Sequence, residues 1–276
     1  MPVLKWAGGK SQLLPELLVR LPRKFHAYHE PFLGGGALFF ALSRQGLLRG
    51  KRVSLADLNA ELVLTYGAVR DEPGRVIEEL ASHKLRYDSK LFYELRKRNW
   101  RELSRAEAAA RMIFLNRTGY NGLYRVNSKG EFNVPFGRYK NPRICDVENL
   151  TAASLALQAA TLYQSSFEEV SKRARKGDLV YFDPPYVPLT STANFVSYTS
   201  VGFSMEDQEK LADLFDNLSR RGVLVMLSNS SDAWVLERYK QYSVSRVLAR
   251  RRVNSRADKR GPVAEVIVTS YPTGEG

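Results

Sequence analysis

Strand-like and helix-like segments alternate at both ends of this 276-residue chain, and that alternation confines it to an α/β fold with a mainly parallel sheet. His26-Ala27-Tyr28-His29 leads into a Gly-rich turn and a helix over 37–45; residues 52–56 read as the next strand, closed by Asp57. Further along, 160–164, 178–182 and 223–228 read as strands. A helix over 205–221 starts after Ser204 as its N-cap, and 240–247 and 263–271 supply the last two strands. Residues 60–144 break the pattern. Helical stretches at 60–67, 73–83, 90–98 and 105–115 precede a loop over 118–142 that has no helical period. Loops of that length in compact domains are usually functional or disordered, and the aromatic, Arg and Asn content of this one argues against disorder. The middle is therefore expected to be an inserted module, with units at 1–58, 59–144 and 145–276, the first and last together forming one domain.

The net charge of +13 implies a polyanionic partner, and its distribution matters more than its size. Between Arg96 and Arg143 there are twelve Lys and Arg against Glu102, Glu107 and Glu131, and a second basic run lies over 246–260. Cys145 is the lone cysteine, which excludes an intramolecular disulfide and fits a reducing compartment. With no signal-peptide pattern and no apolar run long enough for a bilayer, the expectation is a soluble cytoplasmic protein with no obligate protein partner. His26, His29 and His83 form no metal-ligand pattern with Cys145, and no metal is expected.

Asp183-Pro184-Pro185-Tyr186, directly after the strand at 178–182, has the chemistry needed for methyl transfer onto a planar exocyclic amine. The amino nitrogen of adenine or cytosine is a poor nucleophile because its lone pair is delocalised into the ring. Hydrogen bonds from its N–H groups to the Asp183 carboxylate and the Pro184 carbonyl favour a tetrahedral nitrogen with a localised pair. The two prolines hold that carbonyl in an extended orientation, and Tyr186 offers a face for an extruded base.

Glu30-Pro31-Phe32-Leu33-Gly34-Gly35-Gly36 lies between a strand and a helix, where glycines let a ligand approach the backbone. It matches neither the dinucleotide fingerprint nor a phosphate loop. Asp57, about twenty residues on at a strand end, is the type of carboxylate that accepts from ribose hydroxyls. In Trp6-Ala7-Gly8-Gly9-Lys10, Lys10 is suited to a methionine carboxylate and Trp6 to covering a cofactor. Ser166 and Phe167, after the strand at 160–164, are placed to receive an adenine ring.

In this order the motifs closely resemble the Dam-type DNA adenine-N6 methyltransferases of the D12 class. The likeness extends over nearly the whole chain and includes 114–127, 130–139 and 188–198. It implies S-adenosylmethionine as donor, a seven-stranded methyltransferase sheet flanked by helices, and a target-recognition domain inserted after Asp57. The cofactor set is then Trp6, Lys10, Phe32, Gly34, Gly36, Asp57, Ser166, Phe167 and Asp183; the catalytic set is Asp183, Pro184 and Tyr186. The chain departs from the family pattern in the glycine-rich turn at Gly34-Gly35-Gly36 and in Ser166, where many relatives carry an acid.

The resemblance also implies double-stranded DNA as partner and GATC as site. Arg117, Asn127, Asn133 and Arg138 become backbone contacts, while Tyr120 and Asn121 wedge into the helix where the base has left. Arg125 reads guanine O6 and N7, Lys5 reads the first guanine, and Leu123 and Pro135 meet a thymine methyl. Cytosine-N4 methylation and a non-catalytic DNA-binding regulator are the alternatives, disfavoured by the motif order and by the intact Asp183, Pro184, Tyr186, Lys10 and Asp57.

Overall fold

The computed structural model describes residues 2–6, 10–187, 203–250 and 262–273. Seven strands, β1 (Ala27–Glu30), β2 (Arg52–Asp57), β3 (Ala160–Gln164), β4 (Leu179–Phe182), β5 (Leu224–Ser230), β6 (Ser243–Arg250) and β7 (Pro262–Thr269), form one sheet in the order β3-β2-β1-β4-β5-β7-β6. β1 and β4 are buried at every residue, as expected of central strands covered on both faces. Their side chains alternate between two apolar clusters: Tyr28 and Tyr181 enter one, Val180 and Phe182 the other. The pairs among β1 to β5 are parallel, whereas β7 runs antiparallel to both β5 and β6.

From β1 the chain builds outward through β2 to β3 and then returns to β4 on the other side of β1. Connections therefore diverge at the β1/β4 boundary, and ligands of open α/β sheets bind outside the strand ends at such a point. Glu30 ends β1, Asp57 ends β2, and Asp183 follows β4 at this same edge.

The expected helices form with small shifts of boundary: α2 (Ala37–Arg44), α3 (Ala60–Asp71), α4 (Pro73–Leu85), α5 (Ser89–Lys97), α6 (Arg105–Thr118) and α9 (Met205–Arg220). Ser204 caps α9 in a reciprocal box with Asp207, and Ser104 caps α6 likewise with Glu107. Helices α1 (Leu14–Val19), α7 (Val147–Leu157), α8 (Val170–Arg173) and α10 (Ala233–Arg238) were not anticipated. α7 has a strong signal in hindsight, since the Asp146 side chain accepts from Asn149 N. The helical insert is not packed apart from the sheet. Phe92 and Phe114 belong to the same apolar cluster as Tyr28 and Leu55, and α6 is buried on almost all its faces.

The stretch expected as an irregular loop over 118–142 folds back on itself as a narrow ribbon. Bridges Gly119↔Phe136 and Val126↔Phe132 join its arms, and Asn133 N donates to Arg125 O at 2.9 Å. Alternation turns Tyr124, Phe132 and Val134 into the core and leaves Arg125 and Pro135 exposed. No helix of the described residues is long and apolar enough to cross a membrane.

Candidate active site

The edge at β1 and β4 gathers opposite charges at close range. Lys10 is buried, 6% exposed, and its Nζ lies 2.6 Å from Asp183 Oδ1 and 4.4 Å from the centre of the Tyr186 ring. Burial pushes the Asp183 carboxyl above its ordinary range; the Lys10 charge and hydrogen bonds from Lys10 and Ser228 pull it back. Ser228 Oγ, at the end region of β5, is 3.1 Å from Asp183 Oδ1 and 3.0 Å from the Tyr181 hydroxyl. A cation and a hydroxyl thus hold the carboxylate through the same oxygen, Oδ1.

The backbone after Asp183 is equally constrained. Gln208 Nε2 donates to Pro185 O at 2.8 Å, and Val187 N donates to Asn229 Oδ1 at 3.3 Å. Among the described residues none donates to the Pro184 carbonyl. Tyr186 donates through its hydroxyl to Glu265 Oε2 at 2.7 Å, which anchors the outer end of the ring to β7.

At the end of β1, Gly34 has φ +46° and a Cβ there would fall 2.8 Å from Trp6 Cδ1, so only glycine admits the close approach of backbone and indole. Gly36 has φ +63° as it enters α2. The half-buried Asp57 accepts from Gly34 N and Asn59 N, each at 2.9 Å. A carboxylate has about four acceptor positions, so capacity remains for hydroxyl donors. Burial pushes its carboxyl above the ordinary carboxylate range, and the backbone donors oppose the rise. Phe167 is buried and stacks on Phe32 with ring centres 5.3 Å apart, while Ser166 Oγ donates to Glu168 Oε2 at 3.0 Å.

Trp6 also stacks on Tyr124 at 5.0 Å, and Tyr124 donates to Glu61 Oε2 at 2.9 Å. Glu61 and Arg111, both buried, pair at 2.5 Å. The chain of contacts runs from the glycine turn to the base of the basic ribbon. On that ribbon Tyr120, Asn121, Arg125 and Arg138 are exposed, Leu123 and Asn133 half-buried. Arg125 Nε donates to Asn133 Oδ1 at 2.7 Å, so these two side chains brace each other across the ribbon. Asn121 (φ +56°) and Arg138 (φ +53°) both occupy the left-handed region, a strained backbone for residues other than glycine.

Two of the expected phosphate contacts, Arg117 and Asn127, also hydrogen-bond within the protein. Arg117 turns inward and its Nη2 donates to Val3 O at 2.5 Å, because a half-buried guanidinium there satisfies the N-terminal segment. Asn127 Oδ1 accepts from Lys129 N and Glu131 N, both at 3.0 Å, and its amide donates to Glu131, closing the tip of the ribbon. Expected motif residues at 7–9, 188–198 and 251–260 lie outside the described residues.

Sequence reasoning missed Ser228, Glu265 and Glu30. Glu265 had a signal, being the lone charge in the apolar run Val263-Ala264-Glu265-Val266-Ile267-Val268. Glu30 is 2% exposed and accepts from the Tyr28 hydroxyl at 2.7 Å; burial first, and the nearby Asp183 charge, push its carboxyl up to about 8.

Residues 6–253 match the D12 class N6 adenine-specific DNA methyltransferases. The chain belongs to that family. It is 44% identical to the Type II methyltransferase M1.LlaDCHI of Lactococcus lactis subsp. cremoris, over 98% of this chain and 95% of the relative. Identity is 39% to the Type II methyltransferase M.MjaIII of Methanocaldococcus jannaschii, over 98% and 99% of the two chains. With the DNA adenine methylase of Escherichia coli K12 it is 36%, over 98% and 95%. This D12-class chain is a site-specific adenine DNA methyltransferase.

Proposed function

We propose that the enzyme methylates adenine N6 in duplex DNA with S-adenosylmethionine as donor, after extruding the base, and that its site is GATC. The observation that carries the reading is the grouping of Asp183, the Pro184 carbonyl and the Tyr186 ring beside the glycine turn at the β1/β4 boundary.

The residues fit the donor. Lys10 and Asp183 present both signs of charge, which suits the zwitterionic end of an amino acid. Asp57 offers an acceptor at the end of β2 for ribose hydroxyls, and the bare Gly34 leaves backbone next to Trp6 where a side chain would collide. Phe32, Ser166 and Phe167 supply an aromatic wall with one hydroxyl for a purine. When bound, S-adenosylmethionine supplies a methyl carbon on a sulfonium, an electrophile that needs no metal or covalent enzyme intermediate.

The protein's part is orientation. Asp183 and the Pro184 carbonyl accept from the two amine N–H groups, which turns the nitrogen lone pair out of the ring plane toward the methyl carbon. In the transfer the N–C bond would form as the C–S bond of the sulfonium breaks, the sulfur leaving as a neutral thioether, and the nitrogen, then cationic, would lose one proton to solvent. Tyr186, its hydroxyl held by Glu265 and its face beside the Lys10 cation, keeps the purine in one plane. Positioning of this kind lowers barriers without acid or base strength.

Extrusion breaks pairing and stacking at a cost on the order of a few kcal/mol. The exposed Tyr120 and Asn121, at the turn after α6, are the wedge that replaces the lost stacking. Arg125 reads one guanine and Lys5 the first guanine of the site, Leu123 and Pro135 contact thymine, and Asn133 and Arg138 serve the backbone. The test is methyl incorporation from labelled S-adenosylmethionine into duplexes carrying GATC or single substitutions, with long-read mapping of modified bases in cells expressing the enzyme. N6-methyladenine confined to GATC is expected; modification of cytosine, or of adenine at an unrelated site, would refute the assignment.

A further inference from the structure

Lys5 and the turn at 120–122 stand far apart in sequence, yet one buried side chain holds both. Asn116, near the end of α6, has no exposed surface. Its Oδ1 accepts from Lys5 N at 2.8 Å, and its Nδ2 donates to Lys5 O at 2.7 Å and to Gly122 O at 3.2 Å. The amide therefore clamps the peptide groups on both sides of Lys5 as a neighbouring strand would. The same amide ties Lys5 to the turn that carries Tyr120 and Asn121.

Gly122 completes the clamp. Its φ is +63°, and a Cβ there would lie 2.5 Å from Lys5 Cδ and 3.3 Å from Lys5 Cβ. The aliphatic stem of Lys5 runs across the bare α-carbon, and its Nζ reaches a point 5.7 Å from the centre of the Tyr139 ring. This matters because a lysine is a flexible stem with a point charge, and by itself it does not distinguish a guanine edge from a phosphate. Direction has to come from whatever holds the stem.

We propose that Asn116 and Gly122 are specificity-positioning residues: they fix the direction of Lys5 and its distance from the Tyr120–Asn121 wedge, and so set which base pair is read relative to the extruded adenine. The inference rests on the reading of Lys5 as the contact to the first guanine. Neither residue touches the reacting atoms.

The experiment uses hemimethylated duplexes, in which a single adenine is free and the first and fourth base pairs of the site are distinguishable. kcat/KM is measured for GATC, for sites changed at the first pair and for sites changed at the fourth. Asn116→Asp keeps the size and removes both Nδ2 donors; Gly122→Ala drives a methyl into the Lys5 stem. Both are expected to lower discrimination at the first pair by roughly tenfold, the worth of one base contact, while discrimination at the fourth pair stays within about threefold. Adding Asn116→Asp to Lys5→Ala should produce no further loss at the first pair. These ratios are taken within one preparation, so a reduced folded fraction cancels. Equal loss on all duplexes, or unchanged first-pair discrimination in both variants, would overturn the positioning role while Lys5→Ala still relaxes that pair. If Lys5→Ala itself leaves the first pair fully discriminated, the reading beneath the inference fails and the inference with it.

Discussion

Replacing Glu30 by Gln should make the protein more stable, and increasingly so as pH rises. The wild-type carboxyl is fully enclosed at the end of β1, accepts from Tyr28, and titrates near about 8 against a usual 4.5. Its folded-state value lies above its unfolded one. The stability it contributes is therefore fully present below about pH 4.5, where both states are protonated, and is lost as pH rises toward 8 because the unfolded chain ionises first. Each unit of that gap corresponds to about 1.4 kcal/mol, so the loss has an upper bound of about 5 kcal/mol. Gln reproduces the neutral carboxyl, keeps an acceptor for Tyr28 and does not titrate. Urea unfolding of both proteins at pH 5, 6.5, 8 and 9 isolates the effect, since every other titrating group is common to the pair. The difference should start below about 1 kcal/mol at pH 5, exceed about 2 kcal/mol by pH 8 and level off above it. A difference that is flat with pH would show that Glu30 is ionised in the folded protein, and the burial argument would be wrong.

Asp183→Asn should lower kcat by at least about a hundredfold, because it replaces the anionic acceptor that faces the buried Lys10; single-turnover methylation within threefold of wild type would contradict this. Tyr186→Phe keeps the ring and loses the bond to Glu265, so it should retain more activity than Tyr186→Ala, and equal loss in the two would move the role from the ring to the hydroxyl. Arg125→Ala should relax discrimination at one guanine, whereas Arg138→Ala should weaken all duplexes alike and lower the slope of log K against log salt by roughly one; binding titrations at several salt concentrations separate them. Gly34→Ala meets Trp6 at 2.8 Å with φ +46° and should weaken S-adenosylmethionine binding by about tenfold, from a strain of about 1–2 kcal/mol; unchanged affinity by calorimetry would remove Gly34 from the cofactor turn.

The sequence by itself determined the architecture, because buried strands and capped helices are local patterns. The apolar run before Asp183, the Ser204 cap and the glycines after Glu30 each declare their element within a few residues. The candidate Asp-Pro-Pro-Tyr site was visible for the same reason: the carboxylate, the rigid carbonyl and the aromatic face are consecutive. What only the tertiary structure decided is which side chains reach solvent and which are spent on the fold. Arg117 carries the same guanidinium as Arg125, yet it is half-buried and donates to Val3 O while Arg125 is exposed. The supports of the site come from other strands and helices: Ser228 of β5 on Asp183, Glu265 of β7 on Tyr186, Asn116 of α6 on Lys5. A hydrogen bond between residues 111 positions apart leaves no local pattern to read, because its partners are chosen by how the sheet and the insert pack and not by their neighbours in the chain.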